Sequence, residues 1–333
     1  MKLADGKFID KYVMEGLISK GGFGAVNLCT NITTQEKYAV KIMEMNDGLL
    51  KYLKEELEIN TKMANIKASH VLYSIDSYVE NPFIYIVMKY CNSDNLEKYC
   101  AGKPMMEAAV RYFLKQILIG LLEIHSQNCI HRDIKPANIM LDKINNAYKT
   151  WEWGKYRAYI SDLGFATNRL KACTVLGTPI CMAPEVHNQN GYSSKADIWS
   201  LGITASYMLF GKFYYSFTPP GTTTPPTKLN LGKGRILSLA CLSFLECCLQ
   251  LNPNDRSDAS TLLKHQFFNL DFTHPWMLPS TELVQQDGVT CINPLQKEYT
   301  NRMNSAKVPY ISTPINATIK SLLYRFNAEL NKL

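Results

Sequence analysis

From residue 8 to residue 45 apolar and polar residues alternate in short runs broken by Gly and Asn. A period of two sends successive side chains to opposite faces of a pleated strand, so this stretch predicts antiparallel strands. The period then lengthens. Leu49, Leu50, Leu53, Leu57 and Met63 recur at helical spacing and predict a helix over 48–63. Residues 83–88, Phe-Ile-Tyr-Ile-Val-Met, form an unbroken apolar run that reads as a buried strand, followed by a connector over 89–95. From about 107 the pattern is helical again, with Val110, Phe113, Leu114, Ile117, Leu118, Leu121 and Leu122 on one apolar face. Residues 195–211 and 236–251 predict further helices. The order is a small β-rich lobe and then a larger helical one.

Two segments depart from that order. Residues 216–229 are rich in Pro and Thr and read as a loop. A tail over 269–333 carries Ile319, Leu322, Leu323, Phe326 and Leu330 on one helix face, which predicts an amphipathic helix over about 316–331. There is no internal repeat and no heptad array.

Composition narrows the class. The 333 residues suffice for two packed lobes, and 46% hydrophobic with 20% charged residues is ordinary for a soluble chain. No apolar run reaches the roughly eighteen residues of a membrane span. The first six residues contain no apolar h-region, and Lys2 does not match the myristoylation pattern, so a cytoplasmic or nuclear location is expected. The ten Cys form no C-x-x-C pair and read as reduced, mostly buried thiols. The net charge of +7 comes without a basic cluster interleaved with aromatics, so no nucleic-acid partner is expected.

The most informative stretch is Cys129-Ile130-His131-Arg132-Asp133-Ile134-Lys135-Pro136-Ala137-Asn138. It sets a carboxylate, an ammonium and an amide at fixed offsets in one loop. Phosphoryl transfer to a hydroxyl needs those three groups: a proton acceptor, a cation beside the moving phosphoryl group and an oxygen ligand for a metal. The segment resembles the catalytic loop of eukaryotic protein kinases, and other motifs of that family follow in the family's order. Ile18-Ser19-Lys20-Gly21-Gly22-Phe23-Gly24-Ala25-Val26 resembles the Gly-rich loop that covers nucleotide phosphates, with Ser19 in the place of the first glycine. Tyr38-Ala39-Val40-Lys41 resembles the strand whose Lys binds the α- and β-phosphates. Ser161-Asp162-Leu163-Gly164 resembles the D-F-G metal motif with Leu for Phe. Gly177 to Glu185, ending Ala-Pro-Glu, resembles the segment that holds a peptide substrate.

The resemblance covers about 12–268 and implies an α+β bilobal kinase fold. It divides the chain into a kinase domain over 1–268, with a small lobe over about 8–88, a hinge over 89–95 and a large lobe over 96–268, and the tail. It implies roles residue by residue. Asp133 would be the catalytic base and Lys135 the phosphoryl stabiliser. Thr178 would fix both. Asn138 and Asp162 would hold Mg2+, with Mn2+ as a substitute. Ile18, Ser19, Gly21, Gly22, Gly24, Val26, Ala39, Lys41 and Met140 would surround ATP. Met88 would be the gatekeeper, with Lys89 and Cys91 meeting adenine through their backbone. Asp94 and Asn95 compete for the ribose contact.

Lys41 needs a carboxylate from the helix that follows, and Glu55 and Glu56 compete. Choosing Glu56 places Leu57, Ile59 and Met63 on the family's apolar positions, where the other choice would place Glu56, Glu58 and Lys62. The residue four beyond the partner is then Asn60, a polar group in an apolar column, which is expected to weaken the helix's active arrangement. Glu185 is expected to pair with Arg256, and Asp197 to anchor the catalytic loop. Thr174 lies where an activating phosphate often sits, with Arg132 as one arm of its pocket and Arg169 or Lys171 as helpers.

The Lys two residues after Asp133 marks the serine/threonine type, and Phe165 after D-L-G leans towards serine. Asp-Leu-Gly-Phe-Ala and Cys-Met-Ala-Pro-Glu-Val look similar to the autophagy-initiation and NIMA-related groups. The expected function is therefore a protein serine/threonine kinase acting on protein substrates. The rival is a pseudokinase scaffold, supported by Ser19, Leu163 and Asn60. Asn138 and Asp162 are 24 residues apart, longer than the family's usual spacing. The extra length over 145–157, with Trp151 and Trp153, reads either as a solvated insertion or as a docking element. It and the tail are the candidates for contact with a regulatory partner.

Overall fold

The structure is a computed structural model, and it describes residues 6–21, 24–45, 47–144, 152–168, 172, 177–187, 191–213, 237–269, 282–286 and 289–293. Two compact units emerge. One comprises Met1–Tyr99 and Gln116–Ala172, the other Cys100–Lys115 and Cys173–Leu333.

The first unit opens with strands β1 (Phe8–Ile9), β2 (Tyr12–Gly21), β3 (Gly24–Asn31) and β4 (Lys37–Glu44). Helix α1 (Asp47–Asn65) follows, then β5 (Ser74–Glu80) and β6 (Phe83–Lys89). The six strands form one antiparallel sheet in the order β1-β2-β3-β4-β6-β5. Alternation along β4 and β6 builds a core on each face. Val40, Ile42, Tyr85 and Val87 pack with Tyr12 and Met14 on one side. Met43, Ile84 and Ile86 pack with Leu53 on the other. β6 thus feeds both cores, which is why its sequence is apolar without interruption. Lys41 pairs with Ile86 across the sheet, with Val40 and Ile42 as its chain neighbours. It therefore shares the face of Met43 and Ile86, the face that packs on Leu53 of α1.

The helix predicted over 48–63 is α1, with Leu53, Ile59 and Met63 buried; the side chains of Leu49 and Leu50 lie outside the described residues. Short α2 (Leu96–Cys100) precedes α3 (Glu107–Ser126). Val110, Phe113, Leu114, Ile117, Leu118 and Leu121 of α3 are buried as predicted, but Leu122 is 37% exposed. At about 100° per residue it lies past Leu118, beyond the rim of the stripe, and Ile124 takes the buried place instead. Of α3, residues 116–126 belong to the first unit, and the antiparallel pair β7 (Ile139–Lys143) and β8 (Tyr156–Ile160) completes it. Tyr156 and Arg157, assigned to the insertion from the sequence, belong to β8, and a 3-10 turn over Glu152–Lys155 leads into it. Trp151 lies outside the described residues, and Trp153 is partly buried.

The second unit carries α4 (Pro184–His187), α5 (Lys195–Phe210), α6 (Leu239–Cys248), α7 (Ala259–Leu263) and α8 (Gln266–Asn269). α5 is buried from Ala196 to Phe210, as its all-round apolar sequence requires. α6 and α7 begin on side-chain caps: Ser238 Oγ accepts the Cys241 N–H, and Asp258 accepts the Thr261 N–H. An antiparallel pair, β9 (Glu282–Gln286) and β10 (Val289–Asn293), was not foreseen from the sequence. The 216–229 loop and the 316–331 helix lie outside the described residues.

Candidate active site

The site belongs to the first unit, and the β7–β8 hairpin positions its metal-ligating types. Asn138 closes the 3-10 turn Pro136–Asn138 just before β7, and Asp162 follows β8 by two residues. Pairing of Ile139 with Ile160 brings the two ends together whatever the length between them. The Ser161 N–H and hydroxyl both donate to the Asn138 carbonyl at 2.9 Å, which fixes the junction. The unusual 24-residue spacing therefore does not keep the two residues apart.

The catalytic loop is tied to the same junction through His131. The Asp133 N–H donates to His131 Nδ1 at 3.2 Å, so the ring proton sits on Nε2, which donates to the Ser161 carbonyl at 3.0 Å. Asp133 is buried, and its Oδ2 is 2.8 Å from Lys135 Nζ and accepts from Asn138 Nδ2 at 2.9 Å. One oxygen thus gathers all three chemical groups of the loop. Asn138 spends its amide nitrogen on Asp133, which leaves its oxygen as the atom to offer a cation. Arg132 has a left-handed backbone, φ 71°, and its guanidinium donates to the carbonyls of Phe165 and Ala166.

Lys41 Nζ lies 2.7 Å from Glu56 Oε1 and 3.5 Å from Asp162 Oδ1. Burial pulls its pKa down, but the carboxylates of Glu56 and Asp162 outweigh burial, and the net direction is up. Lys41 is held charged between two acids. Gly164 lies against this group: a Cβ there would be 3.3 Å from both Asp162 Oδ1 and Lys41 Nζ. Glu55, the competitor for Lys41, instead accepts from the Thr167 hydroxyl and from the Asn168 N–H at 3.2 Å, while Glu58 accepts from Asn168 Nδ2 at 3.1 Å. Sequence reasoning did not find this clasp between α1 and the strip after D-L-G; nothing in the spacing of Glu55 distinguishes it from a solvated charge.

The Gly-rich loop joins β2 and β3, with Ser19 opposite Val26 and Gly21 opposite Gly24. Gly24 has φ +135°, and a Cβ there would fall 2.1 Å from the Ile42 carbonyl, so the close passage over β4 demands glycine. Gly22 lies outside the described residues. Ile18 is 44% exposed. Ala39 is buried opposite Met88 in the β4–β6 ladder. Lys89 ends β6, its Nζ 2.8 Å from Asp142, and the Cys91 thiol is buried, its pKa pushed up to about 12 by burial. Asn95 bridges to Met140 and caps α2 by accepting the Lys98 N–H, while Asp94 pairs with Lys98 at 3.0 Å. Thr178 belongs to the second unit and precedes the 3-10 turn Pro179–Cys181. Thr174, Arg169 and Lys171 lie outside the described residues. In the second unit Arg256 makes a bidentate pair with Glu185, at 2.6 and 3.1 Å.

Among the described residues no cluster of three His, Cys, Asp or Glu could hold a metal alone. Asn138 and Asp162 instead offer two hard oxygens. That suits a magnesium or manganese ion whose remaining ligands come from phosphate and water.

A Lys–Glu pair on a β-sheet and helix beside a metal-type Asp, together with a loop carboxylate clamped by Lys and Asn in the same unit, is the arrangement of a phosphoryl-transfer domain. The protein kinase domain family matches residues 12–268. The chain belongs to the eukaryotic protein kinases, in their serine/threonine type, and has their α+β architecture. It is 33% identical over 265 residues to the serine/threonine-protein kinase cst-1 of Caenorhabditis briggsae, covering 76% of this chain and 50% of that one. It is 33% identical over 307 residues to sporulation-specific protein 1 of Saccharomyces cerevisiae, covering 87% and 57%. The serine/threonine-protein kinase dst4 of Dictyostelium discoideum is 32% identical over 305 residues, covering 86% and 58%. The chain thus spans little more than half the length of these relatives. Protein kinases generally use ATP and Mg2+, and the family implies protein substrates. No described helix is long and apolar enough to cross a membrane.

Proposed function

We propose that the chain transfers the γ-phosphoryl group of ATP to serine and threonine hydroxyls of protein substrates. The observation that carries this reading is the joint geometry of two polar clusters, Lys41–Glu56–Asp162 and Asp133–Lys135–Asn138, in one compact unit. Asp133 takes the proton of the acceptor hydroxyl. Lys135 stands 2.8 Å from it and offsets the charge that develops as the phosphoryl group moves. Lys41, held charged by Glu56, grips the α- and β-phosphates. Bound at Asn138 and Asp162, Mg2+ would supply neutralisation of phosphate charge.

The test is incorporation of labelled phosphate from ATP into a serine-rich protein, with Asp162→Ala as control and ATP binding measured separately. Wild-type incorporation lost in the variant supports the reading. ATP binding without incorporation makes the chain a pseudokinase scaffold.

A further inference from the structure

The residue placed in the apolar column of α1, Asn60, is 6% exposed and is hydrogen-bonded through both ends of its amide. Its Nδ2 donates to the carbonyl of Glu56 at 2.8 Å, and its Oδ1 accepts the N–H of Ser74 at 2.7 Å. One end of the amide therefore grips the turn of α1 that carries Glu56, and the other grips the first residue of β5. A polar group expected to loosen the helix is instead a bridge.

What it bridges to is firmly held. The Ser69 N–H and hydroxyl and the His70 N–H all donate to the carboxylate of Glu123 on α3, at 2.7, 2.7 and 3.1 Å. The His70 carbonyl accepts the Ile160 N–H, and the Leu72 N–H donates to the Ile160 carbonyl, both at 2.8 Å. The stretch before Ser74 is thus pinned to α3 and to β8, the strand that delivers Asp162. The Ser74 N–H sits at a register shift between Ser74 and Asp76 in the β5–β6 ladder. An apolar side chain at position 60 would cover that N–H and give it nothing to bond.

We propose that Asn60 is a positioning residue for Glu56: it fixes the distance between the α1 turn and the strip anchored on α3 and β8, and so sets where Lys41 stands relative to Asp162. This rests on the kinase reading above, because the consequence for turnover runs through Lys41. Asn60 touches no reacting atom, so its signature is in how nucleotide is held rather than in the transfer itself.

Asn60→Leu keeps the buried volume and removes both hydrogen bonds. The expected result is a KM for ATP raised about tenfold, the scale of one buried N–H left unpaired, with the KM for the peptide substrate unchanged. Asn60→Asp adds a second signature. A buried carboxyl has a raised pKa, and once protonated it reproduces the donor and acceptor of the amide. Its KM for ATP relative to wild type should fall as the pH is lowered from about 8 to about 6. A merely structural role predicts a smaller active fraction with both KM values at wild type and a flat pH ratio, and that result overturns the proposal. Hydrogen exchange supplies a readout independent of turnover. In Asn60→Leu the amides of Ser74 and of residues 57–63 should exchange faster, with those of 107–126 unchanged. Inactive wild type sinks the kinase reading alone; unchanged exchange at Ser74 and α1 sinks the positioning role alone.

Discussion

Lys41 is the residue on which the site's electrostatics turn. Burial acts to discharge it, and Glu56 at 2.7 Å and Asp162 at 3.5 Å keep it charged. Replacing Lys41 by Met removes the cation from between two acids, and replacing Asp162 by Ala removes the carboxylate that offers a metal its charge. Each substitution is expected to cost turnover on the order of three decades or more, because catalysis of this kind is mostly positioning and electrostatics. Circular dichroism should show both variants folded, since Met refills the space of the buried Lys41 stem and the Asp162 side chain is 35% exposed. Turnover within tenfold of wild type in either variant would remove that residue from the machinery. Most of these residues were legible because the chemistry fixes their type and the motif fixes their spacing. The pairing of Glu56 was legible for another reason: only that choice keeps Ile59 and Met63 inward, and both are buried. Asn60 was legible as an anomaly but not as a bridge, because its partner Ser74 lies fourteen residues on, across a loop whose path the sequence does not state.

At the scale of elements, the hairpin β7–β8 explains how a chain with excess length between two metal-type residues still brings them together. The ladder runs from Ile139–Ile160 to Lys143–Tyr156, and the Ile144 N–H donates to the Lys155 carbonyl beyond it. The ladder, not the number of residues between Ile144 and Lys155, sets where Asn138 and Asp162 stand. Replacing residues 145–154 by Asn-Gly, the pair that two-residue hairpin turns favour, should therefore keep turnover within about threefold of wild type, since shortening a loop changes its closure cost only slightly. A loss approaching that of Asp162→Ala would show that the insertion contributes to the site and would revive its reading as a docking element. The strands and long helices were legible because two-residue and 3.6-residue periods persist through them. The short helices α2, α7 and α8 were not, since four or five residues carry no period; α2 and α7 are announced only by the caps Asn95 and Asp258. The pair β9–β10 did have a signal, Asp287-Gly288 between two short runs containing Leu283, Val284, Val289 and Ile292, but it sits in a tail read for its helical face.

For the whole molecule, stability depends on groups outside the site. Arg256 has a side chain with no exposure, held by Glu185 and by the carbonyls of Lys195 and Gln250. Glu185→Gln leaves that guanidinium buried without its counter-charge, and should lower unfolding free energy by about 3–5 kcal/mol in urea titrations. An effect under about 1 kcal/mol would mean that the carbonyls alone suffice. The fold's dependence on acid is carried differently. His265 lies between α7 and α8 with its ring edge to Phe244, its Nδ1 accepting the Phe267 N–H at 3.2 Å and its Nε2 3.3 Å from Ser243 Oγ. Burial pushes its pKa from 6.5 down to about 4. Above 6.5 the imidazole is neutral in both states and adds nothing to the pH dependence. Between 6.5 and 4 the unfolded chain takes up a proton that the folded chain refuses, so stability falls as the pH falls, by up to about 3 kcal/mol for a fully shielded ring and less for one partly open to solvent. His187, also lowered by burial, acts in the same direction and is present in both proteins to be compared. His265→Gln removes one titration and keeps a hydrogen-bonding side chain. Urea midpoints measured at about pH 7.5, 6 and 5 should show the variant losing less stability than wild type as the pH drops, with the two curves parallel only above about pH 7. Curves that stay parallel down to about pH 5 would mean that His265 takes up its proton equally in the folded and unfolded chains.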